Sequence, residues 1–297
     1  MNVRDSFFNT IYELTKGGED IVLVSSDLGA PSLDDFRRYY PQRFVNVGIA
    51  EQNSIAVAAG LSVAGKKTLT YGLNPFPVTR AFDQIRNLLG SFQYPIAVTA
   101  LKAGTSAAEA GLSHMALENM AIMRTLRNVR IYNPTDEVMA RKMAISFVQN
   151  PSPVYVQFDP QLSGILYEEG NIDIKKGFIA GGTSSDTIII TYGIWASKLK
   201  KENLPAKLID CFALPLNEDE LIKEIKESKK IITIEDGISQ GGIGSMMLEI
   251  LNEKNLSIPV KRMSLEFMDG YPEKLLSRED IFNSENLTVE AIKREIL

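Results

Sequence analysis

Short, nearly unbroken apolar runs alternate with stretches of helical spacing along the first half of the chain. Residues 3–14 place Val3, Phe7, Phe8, Ile11 and Leu14 at helical spacing, and the run at 21–24 reads as a buried strand delivering Ser25, Ser26, Asp27 and Leu28 at its end. Residues 44–47 and 67–71 predict further strands, and 55–63 a helix with little polar surface. The pattern then predicts a helix over 79–89, a strand over 95–101, a helix over 114–125, a strand over 129–132, a helix over 136–148 and a strand over 154–158. Repeated strand then helix means a parallel, doubly wound α/β sheet. Ligands of such sheets gather at the carboxyl ends of strands, where Asp27, Tyr71, Gly72, Lys102, Gly104 and Asn133 fall.

A polar, glycine-bearing stretch separates this from a second, smaller alternation with strands predicted over 187–191, 207–210, 230–234 and 260–263. The expected organisation is two doubly wound domains, each a mostly parallel sheet with helices on both faces: residues 1–162, a linker over 163–185, and residues 186–297. A length of 297 residues suits two such cores, and 44% hydrophobic with 23% charged residues is the balance of a soluble globular protein. A net charge of −5 with no basic cluster argues against a nucleic-acid partner. The first five residues show no basic patch leading into an apolar core, and the weakly polar run at 55–65 is far short of a membrane span. A cytoplasmic location without membrane attachment is therefore the expectation. Cys211 is the sole cysteine and His114 the sole histidine, which excludes an intrachain disulfide and metal sites built from several thiolates or imidazoles.

Candidate chemistry begins at Phe44-Val45-Asn46-Val47-Gly48-Ile49-Ala50-Glu51-Gln52-Asn53, which reads as strand, tight turn and the start of an apolar helix. Glu51 is thereby expected at a buried helix start. A carboxyl there must be paired, hydrogen-bonded or protonated, and function is one reason to tolerate it. The alternative is a solvent-facing first-turn acid that complements the helix dipole. Gly237-Ile238-Ser239-Gln240-Gly241-Gly242-Ile243-Gly244 lies between a predicted strand and a helix, the context of a phosphate-cradling loop. It lacks both the dinucleotide-binding spacing and the P-loop lysine, so a packing role outweighs the phosphate reading. The small, polar stretch 104–112 suits a loop lining a cleft, and it ends at Ser113-His114, where the histidine is either a proton donor or acceptor or a cap.

Four blocks together resemble the C-terminal half of transketolase: Val47 to Asn53, Thr79-Arg80-Ala81-Phe82-Asp83-Gln84-Ile85-Arg86, Gly111-Leu112-Ser113-His114-Met115-Ala116-Leu117-Glu118, and Glu235-Asp236-Gly237 with Gly241 to Ser245. The resemblance implies a pyrimidine-binding domain followed by the transketolase C-terminal domain, in an enzyme using thiamine diphosphate. It implies that Glu51 meets the pyrimidine ring nitrogen and drives the imino form that activates the thiazolium carbon. It places Glu51, Phe76, Asp27 and Ile49 toward the cofactor, with Arg4, Lys102 and His114 toward substrate. Glu51 and His114 are the catalytic candidates. No residue of this chain is assigned to metal, because the family's Gly-Asp-Gly magnesium motif is absent.

The resemblance therefore implies half of a split transketolase, with Mg2+ and the diphosphate held mainly by an N-terminal partner subunit, an α2β2 assembly and sugar substrates. Some positions depart from the family pattern. Asn74 and Pro77 stand where aromatic residues pack on the pyrimidine ring, leaving Phe76 between them for that role. Ala110 replaces an acid that contacts a substrate hydroxyl, and Pro160 an arginine that grips sugar phosphate, which points to a non-standard sugar. The other readings are the beta subunit of a 2-oxo acid dehydrogenase, a deoxyxylulose phosphate synthase-like enzyme, and a non-catalytic module that keeps the fold.

Overall fold

The computed structural model describes every residue except 183–185, 268–269 and 272–273. The chain forms strands β1 (Ile21–Ser25), β2 (Phe44–Asn46), β3 (Lys67–Leu73), β4 (Ile96–Leu101), β5 (Arg130–Tyr132), β6 (Val154–Phe158), β7 (Ile179–Gly182), β8 (Thr187–Thr191), β9 (Lys207–Asp210), β10 (Ala213–Leu214), β11 (Lys230–Ile234) and β12 (Val260–Met263). They build two sheets, ordered β10-β5-β6-β4-β3-β1-β2 and β12-β11-β8-β9-β7. Every pairing is parallel except β10 with β5 and β7 with β9. This is the mostly parallel α/β architecture that strand–helix alternation implies.

The two antiparallel strands lie where the halves meet in sequence or in space. β7 lies inside the stretch read as linker and pairs with β9, and residues 183–185 of that stretch lie outside the described residues. β10 leaves the second sheet after β9 and pairs through Ala213 with Tyr132 and Leu214 with Ile131, closing one edge of the first. A two-residue strand carries no pattern of its own, so periodicity could not announce it.

The first sheet is covered on both faces. The helix Val3–Lys16, capped by Asn2 accepting from the Asp5 amide, packs through Phe7, Phe8 and Ile11 beside Glu137–Gln149 with its Met139, Met143 and Phe147. On the opposite face Ile55, Ala58, Ala59, Ile85 and Leu89 share one continuous core with Ile188, Ile190, Leu221 and Met247 of the second half. No helix among the described residues is long and apolar enough to cross a membrane.

Two predicted helices differ from expectation. The stretch 79–89 is broken into Phe76–Thr79, Phe82–Gln84 and a wide π-type turn Ile85–Ser91. The break turns Arg80 outward while Ala81, Ile85 and Leu89 stay buried. The helix expected from 114 starts only at Asn119–Arg124. His114 instead closes a 3-10 turn, Leu112–His114, and Met115 is extended because the Ala116 amide donates to the Gly104 carbonyl at 2.9 Å.

Candidate active site

Glu51 is delivered by a turn that its own sequence builds. Asn46, at the end of β2, accepts through Oδ1 from the amides of Gly48 at 2.9 Å and Asp27 at 3.2 Å, and donates through Nδ2 to Asp27 Oδ1 at 2.9 Å. Gly48 has φ +76°, a left-handed backbone that glycine adopts without strain. The chain then enters Glu51–Val63, with the Glu51 side chain 4% exposed. The solvent-facing cap is thereby ruled out, and the carboxyl lies inside the wall of the protein.

Its partner is Arg80, whose Nη1 donates to Glu51 Oε2 at 2.7 Å. The guanidinium lies 4.5 Å from the centroid of the Phe76 ring, and Phe76 meets His114 edge to face at 5.2 Å. His114 Nδ1 is 3.0 Å from the Ser113 hydroxyl. The structure therefore brings Glu51, Phe76 and His114 into one group, with Arg80 joining them. Arg80 belongs to the second of the four resembling blocks, but no local signal could tie it to a carboxyl 29 positions away.

Asn74 takes no part in this surface. It is fully buried, and its Oδ1 accepts from Asn119 Nδ2 at 2.8 Å and the Tyr155 hydroxyl at 2.9 Å. Tyr155 reaches Gln157, which donates to Asn133. This buried polar chain braces the turn that presents Phe76, so Phe76 is the ring facing the Glu51 group.

The remaining candidates stand apart. Asp27 is exposed, has φ +55° and is held by Asn46, while Ile49 is 76% exposed on the Gly48 turn. Arg4 pairs with Asp5 at 2.8 Å and lies beside the Tyr71 hydroxyl, which burial pushes up to about 12 while Arg4 opposes. Lys102, with φ +71°, donates from Nζ to the Ser106 carbonyl at 3.1 Å. Among the described residues, no hydrogen bond or ion pair joins Arg4 or Lys102 to the Glu51 group.

The glycine-rich loop fills its own anion slot. The Glu235 carboxylate accepts from the amides of Ile243 at 3.0 Å and Gly244 at 3.2 Å, at the start of Ile243–Glu253. Burial pushes Glu235 up to about 7 despite those donors. A phosphate would have to displace this internal carboxylate, so the loop packs rather than cradles.

Asp236 clasps the two halves. Its carboxylate accepts from the Thr105 amide at 3.0 Å, the Thr105 hydroxyl at 2.7 Å and Arg278 Nη2 at 2.6 Å. Arg278 Nη2 also donates to Asp159 Oδ2 at 2.5 Å. Burial alone would disfavour the cation, yet Asp236 and Asp159 hold it more firmly protonated than usual. Gly104 makes the approach possible: at φ +54°, a Cβ there would sit 2.1 Å from Asp236 Oδ2.

What the Glu51 group can hold is a flat, hydrogen-bonding heterocycle, set against an aromatic face and an in-plane carboxyl. Among the described residues, no group of three or more His, Cys, Asp or Glu could hold a metal ion. The pyrimidine end of thiamine diphosphate fits these residues. The model of the transketolase pyrimidine-binding domain matches residues 1–164, and that of the transketolase C-terminal domain matches residues 183–287.

The chain belongs to the transketolase family.

Membership of the transketolase family carries with it dependence on thiamine diphosphate. A putative transketolase C-terminal section of Methanocaldococcus jannaschii is 30% identical, over 99% of this chain and 95% of that protein. One of the subunits of an apulose-4-phosphate transketolase from Phocaeicola vulgatus is 29% identical over 87% of this chain and 85% of its own length. The 1-deoxy-D-xylulose-5-phosphate synthase of Microcystis aeruginosa is 28% identical over 98% of this chain but only 47% of its own length. Among solved structures, a split-gene transketolase described as an inactive beta4 tetramer superposes with a TM-score of 0.83 at 27% identity, covering 100% and 97% of the two chains.

Proposed function

We propose that this chain is the C-terminal subunit of a split transketolase, moving a two-carbon ketol unit from a ketose to an aldose. The observation that carries this reading is Glu51, a carboxyl buried at a helix start and grouped with Phe76 and His114. Thiamine diphosphate, when bound, supplies a nucleophilic carbon. Glu51 holds a proton at the pyrimidine ring nitrogen, Phe76 supports the ring face, and His114 stands ready to exchange a proton with the substrate oxygen. Asp27 and Ile49 border the cofactor, and Arg4 and Lys102 offer cations at the distal end of the substrate.

An N-terminal partner subunit supplies Mg2+ and the diphosphate grip, in an α2β2 assembly in the cytoplasm. Two features support a non-standard sugar. Pro160 stands in place of a phosphate-gripping arginine, and the nearby Arg278 is buried and already committed to Asp159 and Asp236. A relative named for apulose 4-phosphate agrees with that direction.

The test is Glu51→Ala in the chain assembled with its partner, thiamine diphosphate and Mg2+. Turnover should fall by at least about a hundredfold with assembly intact. Activity within about tenfold of the parent would sink the reading. The 1-deoxy-D-xylulose-5-phosphate synthase relatives keep a second reading in play, and decarboxylation of a 2-oxo acid rather than ketol transfer would favour it.

A further inference from the structure

One guanidinium occupies both Glu51 and Phe76. Arg80 Nη1 donates to Glu51 Oε2 at 2.7 Å, and the same guanidinium lies 4.5 Å from the Phe76 centroid. A guanidinium is planar and delocalised, donates N–H bonds in its own plane and stacks on aromatic faces. The aminopyrimidine of thiamine offers the same features, a flat conjugated ring whose nitrogen engages a carboxyl edge-on.

We propose that Arg80 is a placeholder for the pyrimidine ring: without cofactor it fills the slot between Glu51 and Phe76, and pyrimidine binding displaces it. The inference rests on the thiamine reading of this site and adds a resting state to it.

Exposure separates the two partners of the bridge. The Arg80 side chain is 45% exposed and the Glu51 side chain 4%. Arg80 sits where Phe76–Thr79 breaks from Phe82–Gln84, and its side chain makes no other hydrogen bond among the described residues. It can swing into water at little cost. Glu51 cannot, and an unpaired buried carboxylate is costly. The carboxyl therefore needs one donor before cofactor arrives and another afterwards, and the bridge supplies the first. The stacked guanidinium likewise covers the Phe76 ring until a flat ligand replaces it.

The test is a calorimetric titration of thiamine diphosphate with Mg2+ into the chain assembled with its N-terminal partner, parent beside R80A and R80K. Removing the competitor relieves one exposed ion pair and one cation–π contact, so R80A should bind about fivefold more tightly. R80K keeps the charge without the planar fork and should fall between the two. Equal or weaker binding by R80A overturns the placeholder while leaving the thiamine reading in place. Failure of the parent complex to bind the coenzyme overturns both. A second readout needs no variant: the Arg80 Nε–H resonance should move to its free position when the coenzyme is added to the parent complex. An unmoved resonance overturns the proposal.

Discussion

Two arginine–carboxylate contacts define this molecule, and they differ in what surrounds them. At Glu51 one guanidinium meets one carboxylate, and the Arg80 side chain is 45% exposed. At the clasp, Arg278, Asp159 and Asp236 are 4%, 4% and 6% exposed, with Thr105 and Gln161 taking up further bonds. The cavity beside the clasp is about 20 Å3, room for a single water. The same chemistry thus makes a replaceable contact in one place and a permanent one in the other. Burial on both sides decides which.

The comparison breaks hardest at the clasp. Arg278→Met leaves two buried carboxylates without their cation and should cost about 3–5 kcal/mol in urea unfolding. A loss below about 1 kcal/mol would mean the clasp is no stronger than a surface pair. Next comes Gly104→Ala, which forces a left-handed backbone on alanine and drives its Cβ into the Asp236 carboxylate. Its cost should be about 3 kcal/mol, and Asp236→Ala in the same chain should relieve part of it.

Buried carboxyls that form no ion pair among the described residues give a third, smaller effect, with Lys200 acting on Asp210 only at a distance. Burial pushes Asp210 up to about 7, the Thr135 and Tyr167 hydroxyls opposing and Asp136 adding to the rise. The folded state therefore holds the proton more tightly than the unfolded chain does. The stability this confers is complete below the unfolded pKa near 4 and is lost as pH rises through about 7. Unfolding free energy should fall between about pH 4 and 7, and Asp210→Asn should shrink that fall by about 2 kcal/mol or more. An unchanged slope would place the titration elsewhere. Glu235 adds to the fall with the same sign.

The smallest effect belongs to the exposed bridge. Arg80→Ala should cost the cofactor-free chain only about 1 kcal/mol, measured by thermal unfolding, because removing a half-exposed side chain opens the Glu51 carboxyl to water. A loss as large as that of Arg278→Met would erase the distinction between the two contacts.

Much of this was legible from residues. The strands predicted at 21–24, 154–158 and 187–191 fall within β1, β6 and β8, because buried parallel strands read as unbroken apolar runs. Glu51 is expected at a buried helix start because the turn before it and the apolar residues after it are adjacent in sequence, and the carboxyl is buried there. Phe76 enters only because its neighbours lack rings, and the braced, buried Asn74 accounts for its place on the surface. The break in the helix predicted over 79–89 and the late start of the helix predicted from His114 were not legible. The late start goes with a backbone bond to another loop, Ala116 to Gly104, and the break with the outward turn of Arg80, whose partner Glu51 lies in a different element.

The sequence alone determined the alternation of strands and helices, the α/β class, the family and the presence of an acid where a helix begins. Those are properties of neighbouring residues, and periodicity and motif report neighbours. Only the tertiary structure decided that Glu51 is held by Arg80, that the glycine-rich loop is filled by Glu235, and that Asp236 and Arg278 lock the halves together. Those contacts join residues brought together by packing, and whether a charge is held or free depends on how much water the fold leaves around it.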